Sequence, residues 1–336
     1  MRITVLLGGT SMERDVSIAS GLRIAEALRS RGHDVRAVDT ARGALSAQDE
    51  KALMRERVVK TTPPTHGQLD EIGRDALSRL AGTLPNASDT DVAFLALHGG
   101  TGEDGTIQAM LELTGVPYTG SGPLASALAL DKDLSKRLFR AAGVQTPDWT
   151  MAPVSADVVR ARFGFPVIVK PPKQGSTVGL TLVRTEQDLA PAIAEAARYD
   201  DEVMIEQYIA GRELTVGVLG TETLPVGEII PKHEIYDYEC KYTAGMTEEH
   251  FPADVSADIA QAAQRQAWDA FRALKLRGCA RIDFRMTPAG ELFCLEANTL
   301  PGMTELSLIP QGAAAAGILF PELCERIAML ALNERG

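Results

Sequence analysis

Short apolar runs, glycine turns and amphipathic helical stretches alternate along the first third of the chain. Residues 3–7 are apolar except for Thr4 and meet Gly8-Gly9, after which a helical periodicity extends over residues 12–31. A glycine ends this helix, and a second strand is predicted over residues 34–38. A strand, a glycine turn, a helix and another strand in this order predict an α/β start with a parallel sheet.

Glycine-rich loops follow the predicted strands of this sheet. Residues 92–97 form a further strand, and the loop from His98 to Gly105 contains four glycines. A helix over residues 106–114 separates this loop from a second glycine-bearing loop at residues 117–122. Loops at the carboxyl ends of parallel strands form the usual ligand crevice of such a sheet, so we expect a crevice here.

The middle of the chain changes to a mixture of helices and shorter strands. A helix is predicted over residues 126–142, and residues 143–147 form a predicted linker into a second domain. A buried strand at residues 164–170 ends in a lysine, and a loop of small residues follows at 173–179. Further strands are predicted at residues 203–208 and 214–219, and an amphipathic helix at residues 257–274.

The stretch from residue 281 to residue 303 has the alternation of a β-hairpin. Predicted strands over residues 281–286 and 291–298 flank a Pro-Ala-Gly turn, and every second side chain lies on one face. Two carboxylates and one amide oxygen then converge, a set that suits a hard cation such as Mg²⁺ shared with substrate phosphates. The members of this set are Asp283, Glu296 and Asn298. An edge hairpin with solvated acids explains the same pattern when the stretch is taken alone.

Composition restricts the class of partner. The chain of 336 residues is 45% apolar and 24% charged, and its net charge of -11 with no basic block argues against nucleic-acid binding. None of the four cysteines forms a C-x-x-C pair, so neither zinc nor a redox motif is indicated and a reducing cytoplasm is expected. The N-terminal apolar run is too short for a signal peptide or a membrane span, and no membrane association is expected.

Four side chains beside the predicted loops are candidate ligand contacts, and three of them also fit a structural interpretation. Glu13, at the start of the first helix, suits either a helix-dipole interaction or an acceptor for a substrate ammonium. His98 suits a structural hydrogen bond or catalysis, and Lys132 suits a surface charge or a ligand contact. Lys170 and the donor-rich loop at 173–179 suit a nucleotide phosphate tail, although the Walker A spacing is absent.

Two further segments differ in what they predict. A strand edge followed by Glu213 supplies backbone groups for a base and a carboxylate for a ribose, or is ordinary strand chemistry. The polar and aromatic segment 231–251 is typical of a functional loop. Residues 41–90 are polar and interrupted by prolines, so we expect a surface excursion without chemistry, with helical pieces at 48–59 and 70–84.

Short motifs in a fixed order resemble those of D-alanine–D-alanine ligases, which belong to the ATP-grasp superfamily. The resemblance covers nearly the whole chain, and the ordered set is specific although each member alone is not. The motifs are GGTSxERxVS from Gly8, HG with GEDGT from His98, YTGSG from Tyr118, VKP with GSxVG from Val169, YDYExKY from Tyr236, RxD from Arg281, and LEANT with PGMT from Leu295.

The resemblance implies an α/β fold of the α+β ATP-grasp type, in which an N-terminal parallel-sheet α/β domain precedes a two-domain ATP-grasp module. The nucleotide would lie between the second and third domains. The implied boundaries are residues 1–122 for the N-terminal substrate-binding domain, with the surface excursion at 41–90, residues 123–206 for the central subdomain, and residues 207–336 for the C-terminal subdomain with the metal site.

The resemblance also implies a role for each matching position. Two Mg²⁺ or Mn²⁺ ions would be held by Asp283, Glu296 and Asn298. ATP would contact Lys132, Lys170, Glu206, Gln207, Ile209, Glu213 and Lys241. A hydrogen-bonded set around the ammonium of the first D-alanine would comprise Glu13, Ser176 and Tyr242. The oxyanion would be stabilised by Arg281 and the Gly302 N–H, and further substrate contacts would come from His98, Ser307 and Leu308.

The implied reaction joins two D-alanines to D-alanyl-D-alanine through D-alanyl phosphate, with ATP as co-substrate, for peptidoglycan precursors. A carboxylate needs this activation because oxide is a very poor leaving group, and Mg²⁺ and lysines can neutralise the charge of the phosphoryl group in transfer. The expected partners are D-alanine and ATP. A homodimer is implied by the resemblance alone.

Two other functions stay open from the sequence. The first is an ATP-grasp ligase that joins D-alanine to a different acceptor, because Glu305 and Leu306 stand where small or polar residues are common in the family. Tyr242 favours D-alanine, since related ligases that make D-alanyl-D-lactate lack a tyrosine at this loop position. The second is a nucleotide-binding protein without catalysis, against which the complete set of metal and lysine residues argues.

Overall fold

In the computed structural model, the described part of the chain forms three β-sheets with helices packed around them. The structure describes residues 1–55, 64, 66–73, 82, 84–236, 240–241, 243, 245–304 and 306–333. Among the helices of this described part, none is long and apolar enough to cross a membrane.

The first sheet is mostly parallel, as the sequence predicts. Its strands are β1 (Arg2–Leu7), β2 (Asp34–Asp39), β3 (Gly43–Ala44) and β4 (Val92–Leu95), in the order β3-β2-β1-β4. β1 pairs in parallel with β2 and β4, whereas the short β3 is antiparallel to β2. The central β1 is buried along nearly its whole length, because helices cover both faces of such a sheet. The helices of this part are α1 (Arg14–Ser30), α2 (Ala47–Arg55), α3 (His66–Gly73) and α4 (Thr106–Thr114).

The second sheet is small and antiparallel. Its strands are β5 (Trp149–Met151), β6 (Val167–Lys170), β7 (Thr181–Val183) and β8 (Met204–Gln207), in the order β5-β8-β6-β7. Two helices precede it in the chain, α5 (Pro123–Leu130) and α6 (Lys132–Ala141). Two others pack on its strands, α7 (Ala156–Phe163) and α8 (Leu189–Ala196).

The third sheet contains the predicted hairpin. Its strands are β9 (Arg212–Leu219), β10 (Glu222–Thr223), β11 (Gly227–Pro231), β12 (Thr247–His250), β13 (Cys279–Met286) and β14 (Leu292–Asn298). They run in the order β12-β11-β9-β13-β14, and β10 pairs with β9. The helices of this part are α9 (Ala257–Ala273), α10 (Leu308–Ala315) and α11 (Phe320–Asn333). Helix α9 packs on the sheet through a buried stripe of three small side chains, Ala263, Ala267 and Ala270, together with Phe271.

Helices α5, α6 and α11 pack on sheets whose strands lie far from them in the sequence. Ala125 and Ala129 of α5 and Phe139 of α6 belong to the apolar core under the third sheet. Helix α11 returns to the first sheet, where it packs against α1 and β4. Residues 123–144 therefore share a core with the third sheet, and the boundaries predicted after residues 122 and 206 stay predictions.

The prediction of a single helix over residues 126–142 is wrong, because the structure has two helices there. Asp131 adopts an extended conformation between α5 and α6. Its carboxylate accepts hydrogen bonds from the backbone N–H of Asp133 at 3.0 Å and of Leu134 at 3.1 Å, so it caps α6. The strand predicted over residues 92–97 ends earlier, at Leu95, whereas α4 has the bounds that the sequence predicts.

The predicted surface excursion is partly tied to the first sheet. Helix α2 agrees with the piece predicted at 48–59 as far as it is described, and its Glu50 is buried against Arg29 of α1 at 2.6 Å. Helix α3 begins at His66 rather than residue 70. The remaining residues of both predicted helical pieces lie largely outside the described part of the chain.

The Asp131 cap of α6 should contribute to the free energy of unfolding. Replacing Asp131 by alanine removes the acceptor of two backbone N–H groups, and should lower the free energy of unfolding by about 1 kcal/mol. Urea unfolding followed by circular dichroism measures the loss. The matched control is Asp131→Asn, which keeps an acceptor oxygen and should retain most of the stability. Equal losses in the two variants would contradict the assignment of this cap.

Candidate active site

The hairpin of β13 and β14 brings its polar side chains together on one face. Arg281 lies opposite Asn298 and Asp283 lies opposite Glu296, with a register shift directly after Asp283. Antiparallel pairs of this kind place their side chains about 5 Å apart, close enough to interact. The register predicted from alternation is therefore present, and it sets the order of the charged groups along the cleft.

Asp283 is buried and surrounded by donors. It accepts hydrogen bonds from Thr215 Oγ1 at 2.7 Å, from Asn298 Nδ2 at 3.0 Å and from the Arg281 guanidinium at 2.9 Å. Burial opposes the charge of Arg281, but Asp283 outweighs this effect and raises the pKa of Arg281 above its ordinary value. The pair thus holds one fixed cation and one fixed carboxylate beside each other.

Glu296 forms an ion pair with a lysine of helix α6. Lys132, the first residue of α6, donates to Glu296 Oε2 at 2.9 Å and to the carbonyl oxygen of Gln174 at 2.9 Å. Burial alone would raise the pKa of Glu296, but Lys132 and then Lys241 reverse the effect and hold this pKa well below its usual range. Glu296 is therefore ionised at neutral pH, and Lys132 is a partner of the site rather than a surface charge.

A cavity of about 140 Å³ lies between the second and third sheets. Its wall combines apolar side chains from both sheets with a row of charged groups, as ligand sites usually do. The seven residues predicted to contact ATP all line it, namely Lys132, Lys170, Glu206, Gln207, Ile209, Glu213 and Lys241. Asp283 and Glu296 of the hairpin lie in the same wall.

Glu213 is another residue that lines this cavity. Arg285 Nη1 donates to Glu213 Oε2 at 3.4 Å, and Arg285 Nε donates to the carbonyl oxygen of Ile209 at 3.1 Å. Burial raises the pKa of Glu213 to about 7, and Arg285 only partly opposes this shift. Arg285 was not predicted as a site residue, and its alternation with Asp283 along β13 was the signal that could have found it.

A second cavity, of about 70 Å³, adjoins the first on the side of the first sheet. The residues predicted for the amino-acid substrate line it, namely Glu13, His98, Ser176, Arg281, Gly302, Ser307 and Leu308. Asn298 lies in this wall rather than in that of the first cavity. Among the residues that the structure describes, Ser176, Tyr236 and Lys241 line both cavities.

Glu13 and Ser176 connect the first sheet to the loop at 173–179. The hydroxyl of Ser176 donates to Glu13 Oε1. Ser176 and Thr177 both have positive φ angles, of 49° and 60°, a conformation that is uncommon for residues with a side chain. The contact with Glu13 is one interaction that holds this strained turn in place.

A buried ion pair fixes the turn that presents Glu13. Arg14 pairs with Asp39 at the end of β2, and both side chains are almost fully buried. Arg14 also donates to the carbonyl oxygen of Gly9 at 2.6 Å. Gly8 has φ +80°, and a Cβ there would lie 2.5 Å from Asp39 Oδ1, so the close approach requires glycine.

The imidazole of His98 is engaged at both nitrogens. Nδ1 lies 2.9 Å from the carbonyl oxygen of Leu300, which only accepts, so Nδ1 carries the proton. Nε2 lies 3.4 Å from Ser20 Oγ, which in turn accepts the N–H of Met303 at 3.2 Å. Burial lowers the pKa of His98, so the ring is neutral and ties the glycine loop to the chain after the hairpin.

Ser307 lines the second cavity. Its hydroxyl accepts the N–H of Thr304 at 2.9 Å, directly before α10 begins at Leu308. A Cβ at Gly302 would lie 2.7 Å from Ser307 Oγ, so a larger residue there would displace the hydroxyl. The predicted site residue Tyr242 lies outside the described residues, as does Glu305.

Glu103 is a residue of this cavity that the sequence analysis did not select. Its carboxylate accepts the N–H of Gly99 at 2.7 Å, within the four-glycine loop. Burial and then the nearby Glu13 raise the pKa of Glu103 to about 8. The sequence signal that could have identified Glu103 is an acidic residue inside a glycine-rich loop, because the backbone N–H groups of such a loop can bind a carboxylate.

The donor set of the hairpin fits a hard divalent cation. Asp283 and Glu296 provide carboxylate oxygens and Asn298 an amide, without sulfur or imidazole, which is the chemistry that Mg²⁺ and Mn²⁺ prefer. In the described part of the chain, no cluster of three or more His, Cys, Asp or Glu side chains is arranged to hold a metal. Two carboxylates on their own leave coordination positions for phosphate oxygens and water.

The fold and the two cavities define a class of enzyme. A cavity between an antiparallel sheet and a hairpin with oxygen ligands, preceded by a parallel α/β domain, is the ATP-grasp architecture that the sequence predicts. Two family models match this chain: "D-ala D-ala ligase N-terminus" over residues 2–121 and "D-ala D-ala ligase C-terminus" over residues 137–329. The chain belongs to the D-alanine–D-alanine ligase family.

Individual relatives agree with this placement. The D-alanine–D-alanine ligase of Syntrophotalea carbinolica is 41% identical over 326 residues, which cover 97% of this chain and 94% of the relative. The D-alanine–D-alanine ligase structure from Coxiella burnetii has a TM-score of 0.80 at 28% identity, covering 99% and 94% of the two chains. That from Bacillus anthracis complexed with ATP has a TM-score of 0.77 at 31% identity, covering 100% and 98%.

The raised pKa of Glu103 predicts a pH dependence of stability. Between its ordinary value near 4.5 and its folded value of about 8, the folded state binds more protons than the unfolded state. Stability from this group is therefore present at low pH and is lost as the pH rises towards 8. Glu103→Gln, which cannot ionise, should make the decline in unfolding free energy between pH 5 and 8 less steep, by up to about 1.4 kcal/mol per pH unit.

Urea unfolding at several pH values measures this slope. The control is Glu26→Gln, which removes an exposed carboxylate of α1 and should leave the slope unchanged. A slope in Glu103→Gln as steep as that of the unmodified protein would show that Glu103 is ionised in the folded state.

Proposed function

We propose that this protein uses ATP to join two D-alanine molecules into D-alanyl-D-alanine, through a D-alanyl phosphate. The observation that carries the proposal is the junction of the two cavities at Ser176, Tyr236 and Lys241. A carboxylate bound in the smaller cavity would face the phosphate end of a nucleotide bound in the larger one. An acyl phosphate can then form at the junction and be consumed there.

The first step is attack of the D-alanine carboxylate on the γ-phosphorus of ATP, which breaks the bond from this phosphorus to the bridging oxygen and releases ADP. Lys132, Lys170 and Lys241 line the nucleotide cavity and would contact the phosphates, while Glu213 would bind the ribose. When bound at Asp283, Glu296 and Asn298, Mg²⁺ supplies further neutralisation of phosphate charge. Phosphoryl transfer depends mainly on such charge neutralisation and on alignment, both of which this wall can provide.

The second step is attack of the second amine on the acyl carbon, which expels phosphate. Arg281, held as a cation by Asp283, and the N–H of Gly302 would stabilise the oxyanion of the tetrahedral intermediate. Glu13 would bind the ammonium of the first D-alanine. The N–H groups at Ser307 and Leu308, where α10 begins, would bind the carboxylate of the second D-alanine.

Water must be kept away from an acyl phosphate, and two loops cover the junction. Arg184 at the end of the second sheet pairs with Glu234 in the segment that precedes β12. Thr177 Oγ1 lies 3.5 Å from the carbonyl oxygen of Tyr236. These contacts join the loop at 173–179 to the segment around Tyr236, and their closure would exclude water from the reacting atoms.

The wider setting of the enzyme belongs to the same proposal. Its product would serve peptidoglycan precursor synthesis in the cytoplasm, and two Mg²⁺ or Mn²⁺ ions would accompany ATP. The chain would act as a homodimer and divide into the domains predicted at residues 1–122, 123–206 and 207–336. The family resemblance supports each of these points.

A different acceptor is the second candidate, and the position of Leu306 favours it. Leu306 lies beside Ser307 in the wall of the amino-acid cavity, where its apolar side chain borders the space for a second substrate. Hydrophobic lining discriminates weakly between substrates that differ by a methylene, by a factor of roughly 10–200. Acceptors slightly larger than D-alanine are therefore the relevant competitors.

Phosphate release tests the proposed reaction. ATP, Mg²⁺ and millimolar D-alanine should yield phosphate and D-alanyl-D-alanine, and a chelator should stop the release until Mg²⁺ is restored. Glu296→Gln should lower the rate by about a hundredfold or more, because it removes a carboxylate from the metal and Lys132. The matched control is Glu291→Gln in the exposed turn of the same hairpin, which should react normally. Phosphate release without dipeptide would contradict the proposal.

An acceptor panel separates the two candidates. With D-alanine as the first substrate, kcat/KM should be highest for D-alanine as the second, and lower for D-serine, D-2-aminobutyrate and D-lactate. Mass spectrometry of the products identifies the acceptor used. A larger acceptor with a higher kcat/KM would replace the first candidate by the second.

A further inference from the structure

Helix α6 directs two lysines into the protein, one turn apart. Lys132 and Lys136 belong to its buried face together with Ser135 and Phe139, the spacing expected for one side of a helix. Lys132 lines the nucleotide cavity. Lys136 lies behind the wall, with a fully buried side chain, and is outside the set of residues assigned above to ATP.

One carboxylate connects Lys136 to that wall. Lys136 Nζ donates to Glu206 Oε1 at 2.6 Å and to Thr146 Oγ1 at 2.7 Å. The other oxygen of the same carboxylate, Glu206 Oε2, accepts from Lys170 Nζ at 2.7 Å. Each oxygen of Glu206 therefore has its own ammonium, and the three side chains carry a net charge of +1.

The two ammonium groups differ in what else surrounds them. Lys170 and Glu206 line the nucleotide cavity, whereas Lys136 faces the protein interior, with its Nζ 5.1 Å from the centre of the Trp149 ring. Burial lowers the pKa of Lys136 to about 8, and Glu206 opposes that shift. Lys136 and Lys170 together outweigh the burial of Glu206 and hold its pKa below the usual range.

A phosphate entering the cavity would compete with Glu206 for Lys170. If Lys170 were the sole counter-ion of Glu206, its movement to a phosphate would leave a buried, unpaired carboxylate, which is costly. Lys136 avoids that cost, because it would remain paired with Glu206 after Lys170 had moved to a phosphate. The network can thus release one cation to the ligand without losing its charge balance.

We propose that Lys136 is a positioning residue for the nucleotide: it serves as the standing counter-ion of Glu206 and thereby frees Lys170 to contact phosphate. The proposal rests on the proposed roles of Lys170 and Glu206 at the ATP site. Lys136 itself touches neither nucleotide nor D-alanine. A merely structural cross-link between α6 and β8 would predict a loss of stability without selectivity for phosphate.

The test compares ligands with and without phosphates on Lys136→Met, which removes the charge and keeps a similar volume. In this variant Lys170 is the remaining counter-ion of Glu206, so ADP with Mg²⁺ should bind about tenfold or more weakly by calorimetry. Adenosine should bind as to the unmodified protein, since Lys170 still anchors Glu206. In steady-state assays, KM for ATP should rise and KM for D-alanine should not.

A second substitution should restore binding. In the double variant Lys136→Met with Glu206→Gln, the neutral amide no longer retains Lys170, and Gln still offers an acceptor oxygen. ADP should therefore bind more tightly to the double variant than to Lys136→Met, within about fivefold of the unmodified protein. The matched control is Arg137→Met on the exposed side of α6, which should leave ADP binding unchanged.

Three results would overturn the proposal: ADP binding unchanged in Lys136→Met, an equal loss for ADP and adenosine, or ADP binding to the double variant weakened by more than about fivefold. If Lys136→Met does not fold, the double variant alone decides by the same limit, because the buried carboxylate that loses Lys136 is replaced in it by a neutral amide. These binding measurements use no D-alanine, so their outcome is distinct from failure of the unmodified protein to make dipeptide.

Discussion

The ion pair between Lys132 and Glu296 is the interaction on which the rest of the site depends. It joins the start of α6 to the last strand of the third sheet, and through the carbonyl oxygen of Gln174 it also reaches the loop at 173–179. Three separate parts of the chain are thus held at one point of the cleft. Charges buried in this way persist only when each has a partner, so the pair also keeps Glu296 ionised.

The same constraint explains how charges are distributed through the two cavities. Arg281 is matched by Asp283, and Glu206 is matched twice, by Lys136 and Lys170. An anionic protein can therefore bind ATP, because the cations that would contact the phosphates are concentrated in the cleft and are already desolvated.

Sequence patterns predicted those parts of the structure that depend on local spacing. Alternation in residues 281–298 gave the hairpin and its facing side chains, and the glycine turns located the crevice above the parallel sheet. The break at Asp131 was missed, because apolar periodicity continues across it and the capping is a competing local effect. The roles of Lys136 and Glu103 were also missed, since each depends on a partner far away in the sequence and on burial that no local pattern reports. Most functional residues were selected through family resemblance rather than spacing alone.

The central claim is that a carboxylate in the smaller cavity attacks the phosphate of a nucleotide in the larger one. The most direct test uses D-alanine labelled with ¹⁸O in its carboxylate, followed by mass spectrometry of the phosphate released during dipeptide formation. Formation of an acyl phosphate places one carboxylate oxygen between carbon and phosphorus, and amine attack then leaves that oxygen on phosphate. We predict one ¹⁸O in each phosphate released. Phosphate without the label, formed at the same rate as dipeptide, would contradict this account.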